Sequence, residues 1–561
     1  MFLKKKSCLF FILFFPLICL AKETLPPLGA VASAHPLATK AGIRMLKSGG
    51  NAFDAAIAVA STLAVVEPYG SGLGGGGFWL LYKAKTHEFI FIDGREKSPL
   101  NLTEAMLLDD KGLPKKELIL NSSLGAGIPG EIASFNYLSK NLGKKSRQQQ
   151  LKTAIEYAEK GFYVTEPLRK MIKFRQEALQ KNEETRNIFL DNNQVPSLNK
   201  IIKQPALAVT LKTISAQGFD TFYNGELANK IIENLLKTGS IWQKKDLVDY
   251  TIAQRKPLIG RYKNFNIITA PLPSAGGIAL LSSLNILNTF DLDKFSHIEK
   301  THLLTEVFRR VYFDRLQLGD ADFITNKTQE LLSMDHAKLW AQNISLNHAT
   351  KSVTLPPALS TQEQKLPQKE HTTHFSIIDK EGNIVAATLS LNLPFGCACI
   401  IPNTGIFLNN QLDDFSIGAQ QNSYGLINNK QNHLQPSKRP LSSMTPTIIE
   451  NEQTKIILGT PGGSRIPTMV ILSSIELMNK STAEHAAKLA RFHHQFMPDH
   501  IEYEPSAFTE EEIAILQLKG HSLVSTQRNY GNMQIIVWNK QKNILEFASD
   551  PRGEGMAKND N

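Results

Sequence analysis

The chain has 561 residues, of which 42% are hydrophobic, and a formal net charge of +10. That length can bury a large core. Lys and Arg are interspersed with acids rather than gathered into a stripe, so the charge reads as a solvated surface and not as a nucleic-acid groove.

The N-terminus opens Met1-Phe2-Leu3-Lys4-Lys5-Lys6, runs through an apolar stretch from about Leu9 to Leu20, and reaches a small residue at Ala21. This order of a basic region, a short apolar region and a small residue predicts a signal peptide covering residues 1–21. The apolar stretch is short for a bilayer span, which needs about 20 such residues. Export to the periplasm or the medium follows, without stable membrane insertion once the signal is removed. Cleavage takes away Cys8 and Cys19 and leaves Cys397 and Cys399, one residue apart in an apparent strand. Bridging them would close a very tight loop, so the expectation is two small buried residues and no disulfide.

Residues 36–47 read as a helix stopped by Gly49-Gly50, and Asn51 caps a second helix running to about Val66. The glycine run from Gly72 to Gly77 follows a helix and precedes a strand. Phosphate-binding loops have the opposite order, so no nucleotide site is read here. Residues 78–82 and 88–92 pattern as paired strands, and residues 145–320 are dominated by helical periodicity.

Composition changes at about residue 355. Residues 361–371 are polar and poor in apolar side chains, a segment with little surface to bury. At once afterwards, residues 373–378 and 384–391 read as strands joined by a turn, and 405–409 as a third. A hairpin follows at 447–449 and 455–459, then a helix over 465–479 and strands at 534–538 and 544–547. The two sides of residue 372 are expected to form one compact body.

A polar tail abutting a strand at Thr372 has a chemical use. A threonine hydroxyl needs a base, and a chain cut between His371 and Thr372 would supply one in the new α-amine. Its pKa of about 8 leaves a useful unprotonated fraction near neutrality. The same hydroxyl can make the cut by attacking the preceding carbonyl. Taken alone, Thr372-Thr373-His374 at a strand start is also ordinary β-propensity.

The wider constellation decides between these readings. In order come Asp93-Gly94-Arg95-Glu96, Thr372-Thr373-His374, Asn392, and Asn409-Asn410-Gln411-Leu412-Asp413-Asp414. Then follow Arg439-Pro440-Leu441-Ser442-Ser443-Met444, Gly459-Thr460-Pro461-Gly462-Gly463-Ser464-Arg465, Arg491-Phe492-His493-His494 and Asp550-Pro551-Arg552-Gly553. From about Ala30 to Gly553 this series resembles the γ-glutamyltranspeptidases, also called glutathione hydrolases. The resemblance implies an α+β fold, the αββα sandwich of the N-terminal-nucleophile hydrolases. It also implies two chains cut from one precursor: a large subunit of residues 22–371 and a small one of residues 372–561, held together as a heterodimer.

The resemblance further implies site roles. Thr372 is the nucleophile for processing and catalysis, and Ser390 stands where the family usually has a threonine beside it. Gly462 and Gly463 offer an oxyanion hole. Arg95, helped by Ser442 and Ser443, takes the α-carboxylate of a γ-glutamyl group, and Asn392, Gln411 and Asp414 take its ammonium. The polar loop between Phe415 and Arg439, with Tyr424, resembles a lid. Glutathione and related γ-glutamyl compounds are the implied donors, and water, amino acids or dipeptides the acceptors. No cofactor is implied. His493-His494 does not have metal-ligand spacing, because adjacent strand residues face opposite ways. The rival readings are a same-fold amidase for other acyl groups, such as a β-lactam side-chain acylase or a poly-γ-glutamate enzyme, and a non-catalytic binding protein on this scaffold.

Overall fold

A computed structural model describes residues 24–325, 327–355, 371–418 and 420–561. The expected signal segment and the polar tail through residue 370 lie outside the described residues. Among the described residues, no helix is long and apolar enough to cross a membrane.

Two antiparallel sheets form the centre. The first has seven strands in the spatial order Met556–Asn559, Ala30–Ser33, Thr373–Ile378, Ile384–Ser390, Gly76–Lys83, Glu88–Gly94 and Ala253–Arg255. The second has six: Ile544–Ser549, Gln534–Asn539, Thr454–Gly459, Thr447–Glu450, Phe265–Thr269 and Leu258–Tyr262. Both sheets combine strands from before and after residue 372, so neither part could complete a sheet alone.

Side chains alternate along each strand and so feed two cores. Phe375, Ile377, Val385, Ala387 and Leu389 face an outer layer that includes helices Pro36–Lys47, Ala52–Val66 and Arg147–Lys160. Ile378, Ile384 and Ala386 face the second sheet and share its core with Ile448 and Ile456. Helices Ala275–Leu287 and Ile466–Met478 cover that sheet's far side. The result is the expected αββα arrangement.

Helix Ala52–Val66 starts at Asn51, whose side chain accepts from Phe53 and Asp54 N–H while Asp54 returns a bond to the Asn51 N–H. This reciprocal cap fixes the entry to a helix buried along its whole length. The glycine run serves close backbone approach. A Cβ on Gly75 would sit 2.3 Å from the carbonyl oxygen of Ser390, and one on Gly77 2.3 Å from that of Thr388. Strand Gly76–Lys83 can therefore lie tightly against the strand that ends in Ser390.

Residues 145–320 are mostly helical, as expected, and also contain the hairpin Leu258–Tyr262 and Phe265–Thr269, which forms one edge of the second sheet. Its short strands are lost among the helices around them. The expected third strand over 405–409 is only Ile406–Phe407, paired with Ile400–Ile401 outside both sheets.

Candidate active site

Thr372 lies at the mouth of the first sheet, just before strand Thr373–Ile378, and is 5% exposed. Its Oγ1 is 3.2 Å from Ser390 Oγ at the end of the neighbouring strand. Ser390 Oγ accepts the Asn392 N–H at 2.9 Å, so its own proton can be directed at Thr372. The antiparallel pairing of the two strands brings these hydroxyls together from 18 residues apart.

Facing them is the turn that leaves strand Thr454–Gly459 and enters helix Ile466–Met478. Gly462 has φ 144° and Gly463 φ 54°, positive values that favour glycine, Gly462 most strongly. Neither N–H donates to another described residue. Both glycines line cavities that contain Thr372, and the adjacent helix start adds positive potential.

A narrow cavity of about 20 Å³ gathers nearly the whole predicted set: Thr372, Ser390, Gly463, Arg95, Asn392, Gln411, Asp414, Tyr424, Ser442 and Ser443 all line it. Arg95 is 1% exposed, and its Nη2 is 2.5 Å from Asp414 Oδ2. Its Nε donates to the Pro440 carbonyl at 3.3 Å, and Nη1 lies 3.7 Å from Glu96. Gln411 Nε2 also donates to Asp414 Oδ2, at 2.8 Å. One cation and one anion are thus held at one pocket, each anchored from behind. Burial raises the Glu96 carboxyl to about 7, against the pull of Arg95. Burial and the charge of Asp414 raise Asp413 to about 6.

Asn392 has φ 76° and donates from Nδ2 to the Asn410 carbonyl at 3.0 Å. Over it sits the loop between Phe415 and Arg439. Tyr424 OH donates to Asn392 Oδ1 at 2.6 Å and approaches its carbonyl oxygen at 3.1 Å. Gln495 Nε2 holds the Tyr424 carbonyl at 3.0 Å. Tyr424 thus ties the loop to Asn392 at the wall of the cavity.

The turn after Asn392 overturns the cysteine expectation. Cys397 and Cys399 form a disulfide. The segment is a turn and not a strand: Phe395, Gly396 and Ala398 all have positive φ, with Ala398 at 55°. A left-handed residue between the cysteines brings their Cα atoms to 5.3 Å, within bridging range. The bridge lies in the turn that follows Asn392.

A second, larger cavity of about 370 Å³ opens on the other side of Thr372. His371, Thr372, Glu67, Tyr69, Gly462, Arg528 and Glu554 are among its lining residues. The His371 ring meets Tyr69 edge-on at 5.5 Å. Burial raises the Glu67 carboxyl to about 8. Sequence patterning did not single out Glu67 or Tyr69, which follow the second helix as apparently ordinary loop residues. It also missed Arg315, which lines the narrow cavity but sits in a charged helical stretch that reads as surface.

His493 and His494 diverge. His493 bonds Thr468 Oγ1 and Gln495 Oε1, both at 2.9 Å, while His494 meets Asp499 at 3.2 Å. Arg491 pairs with Asp550, and Arg552 with Glu504 and Asp550. These motif residues tie the C-terminal segment to the body rather than to the narrow cavity.

Comparison with known proteins points to one family. Residues 38–559 match the family described as Gamma-glutamyltranspeptidase. The glutathione hydrolase proenzyme of Escherichia coli (strain K12) is 37% identical over 93% of this chain and 90% of its own length. That of Bacillus subtilis (strain 168) is 33% identical over 94% of this chain and 91% of its own length. The solved Helicobacter pylori gamma-glutamyltranspeptidase superposes with a TM-score of 0.57 at 32% identity, covering 62% of this chain and 98% of that one. A cephalosporin acylase from Bacillus halodurans superposes with a TM-score of 0.83 at 24% identity, over 98% of this chain and 99% of that one; this likeness concerns the fold alone. With the sandwich, the paired hydroxyls and the Arg95–Asp414 pocket all in place, the chain belongs to the γ-glutamyltranspeptidase family.

Proposed function

We propose that Thr372, freed by cleavage of the His371–Thr372 bond, is the nucleophile of an exported γ-glutamyltransferase and glutathione hydrolase. The observation that carries this reading is the Arg95–Asp414 pair in the same narrow cavity as the Thr372 and Ser390 hydroxyls. A γ-glutamyl head bears one carboxylate and one ammonium. Arg95 with Ser442 and Ser443 suits the first, through the guanidinium fork. Asp414 with Gln411 and Asn392 suits the second. An acyl group lacking either charge leaves a buried partner unpaired and is rejected strongly.

In the reaction, the Thr372 α-amine takes the hydroxyl proton as Oγ1 attacks the γ-amide carbonyl. The oxyanion is met by the Gly462 and Gly463 N–H groups, each such donor being worth roughly 3–4 kcal/mol in comparable sites. The C–N bond breaks, the proton passes to the leaving amine, and a γ-glutamyl-Thr372 ester remains. Water releases glutamate, or the amine of an amino acid or dipeptide takes the acyl group. The 370 Å³ cavity beside Thr372 has room for the leaving amine and the acceptor. In maturation the same hydroxyl attacks the His371 carbonyl, the His371–Thr372 C–N bond breaks to free the α-amine and leave an ester on Oγ1, and water hydrolyses that ester, giving residues 22–371 and 372–561 as a heterodimer. The signal segment places this activity in the periplasm or the medium.

Donor entry requires Tyr424 to release Asn392, since the closed cavity is only about 20 Å³. The test is the N-terminal sequence of the smaller band on a denaturing gel, together with turnover of γ-glutamyl-anilide against glutaryl-anilide. A new terminus at Thr372 and preference for the γ-glutamyl compound are expected. Preference for glutaryl would favour a side-chain acylase, and an uncleaved single band a binding protein.

A further inference from the structure

Arg315 follows helix His297–Asp314 directly and opens the short turn Arg315–Gln317. It is 7% exposed and lines the narrow cavity with Arg95, Asp414, Gln411 and Ser442. Its Nε has no hydrogen-bond partner, and among the described residues its guanidinium forms no ion pair. The other buried arginines nearby are all paired: Arg95 with Asp414, and Arg439 with Asp93 and Asp322. Asp414 is the anion whose charge Arg315 feels most, yet Asp414 is already engaged by Arg95 and Gln411.

A guanidinium stays charged even when burial depresses its pKa. Leaving that charge buried without an anion is costly. The cost is relieved when a ligand brings the missing anion. A γ-glutamyl donor brings one, and it arrives where Asp414 must exchange Arg95 for the donor's ammonium. We infer that Arg315 is a second cation for the donor's α-carboxylate, acting with Arg95 to select acyl groups that carry this carboxylate. This rests on the γ-glutamyl reading above and adds a specificity-determining residue to it.

Arg315→Gln and Arg315→Lys, each first checked for cleavage on a gel, would be assayed with γ-glutamyl-p-nitroanilide. L-Glutamate and 4-aminobutyrate, which is glutamate without the α-carboxylate, serve as competing ligands. For Arg315→Gln, KM and the glutamate Ki should rise roughly tenfold or more. The 4-aminobutyrate Ki should stay within about twofold and kcat within about threefold, because only the carboxylate contact is lost. Arg315→Lys, which keeps the charge but loses the fork, should fall between. If Gln at 315 prevents cleavage, the Lys variant carries the comparison by the same ratio of inhibition constants. An unchanged ratio, or equal weakening of both ligands, would overturn the assignment. A correctly cleaved wild type that ignores γ-glutamyl-anilide would instead overturn the γ-glutamyl reading, and Arg315 with it.

Discussion

The Thr372 hydroxyl lies 3.2 Å from that of Ser390, and Ser390 in turn accepts the Asn392 N–H at 2.9 Å. Ser390 therefore has its lone pair occupied from one side and its proton free for the other. It can steady the Thr372 oxygen as that oxygen gives up its own proton. Ser390→Ala should lower kcat by roughly 10- to 100-fold, the loss of a hydrogen bond to a group that becomes charged. Cleavage at Thr372 should slow as well, visible as accumulated precursor. Ser390→Thr, which keeps the hydroxyl, should stay within a few-fold of wild type. A Ser390→Ala enzyme with unaltered kcat would remove Ser390 from the mechanism.

Arg95 and Asp414 neutralise each other inside the pocket, so removing one strands the other. Arg95→Ala should weaken γ-glutamyl binding by roughly 2–5 kcal/mol, read as a higher KM. Asp414→Asn should act through the ammonium and raise KM for γ-glutamyl-anilide more than for glutaryl-anilide. If Arg95→Ala left KM as it was, the carboxylate contact would have to lie elsewhere.

Tyr424→Phe removes the hydroxyl that holds Asn392 at 2.6 Å and leaves the ring in place. A single buried hydrogen bond is worth about 1 kcal/mol, so the loop should open about five times more readily. Limited proteolysis between Phe415 and Arg439 should quicken accordingly, with thermal stability little changed. Equal cleavage rates in variant and wild type would show that this contact does not latch the loop.

Glu67, Glu96 and Asp413 are pushed up by burial to about 8, about 7 and about 6. Below their ordinary range both folded and unfolded chains hold these protons. As pH rises, the unfolded chain releases them first, because the folded chain keeps each proton to a higher pH. These groups therefore favour folding in acid, and that contribution is lost between roughly pH 4.5 and 8. Glu67→Gln cannot titrate, so its Tm should fall less than that of wild type between pH 5 and pH 8. A parallel decline in the two proteins would show that Glu67 does not titrate this way.

Much of this protein was legible in its sequence because the relevant information is local. Capping by Asn51 and the β-patterning on both sides of residue 379 depend on neighbours a few positions away. The ordered motifs named Thr372, Ser390, Arg95, Asp414 and the two glycines without any coordinates. What the tertiary structure decided is what depends on distant chain segments meeting. The hairpin of residues 258–269 joins the second sheet because Thr447–Glu450 pairs with its second strand. The Cys397–Cys399 bridge exists because Ala398 adopts a left-handed backbone, which no i, i+2 spacing announces. Arg315 reads as one more charge at a helix end until the fold buries it beside Asp414. Local pattern fixes which residues are available for chemistry; long-range packing fixes which of their charges are left for a ligand to satisfy.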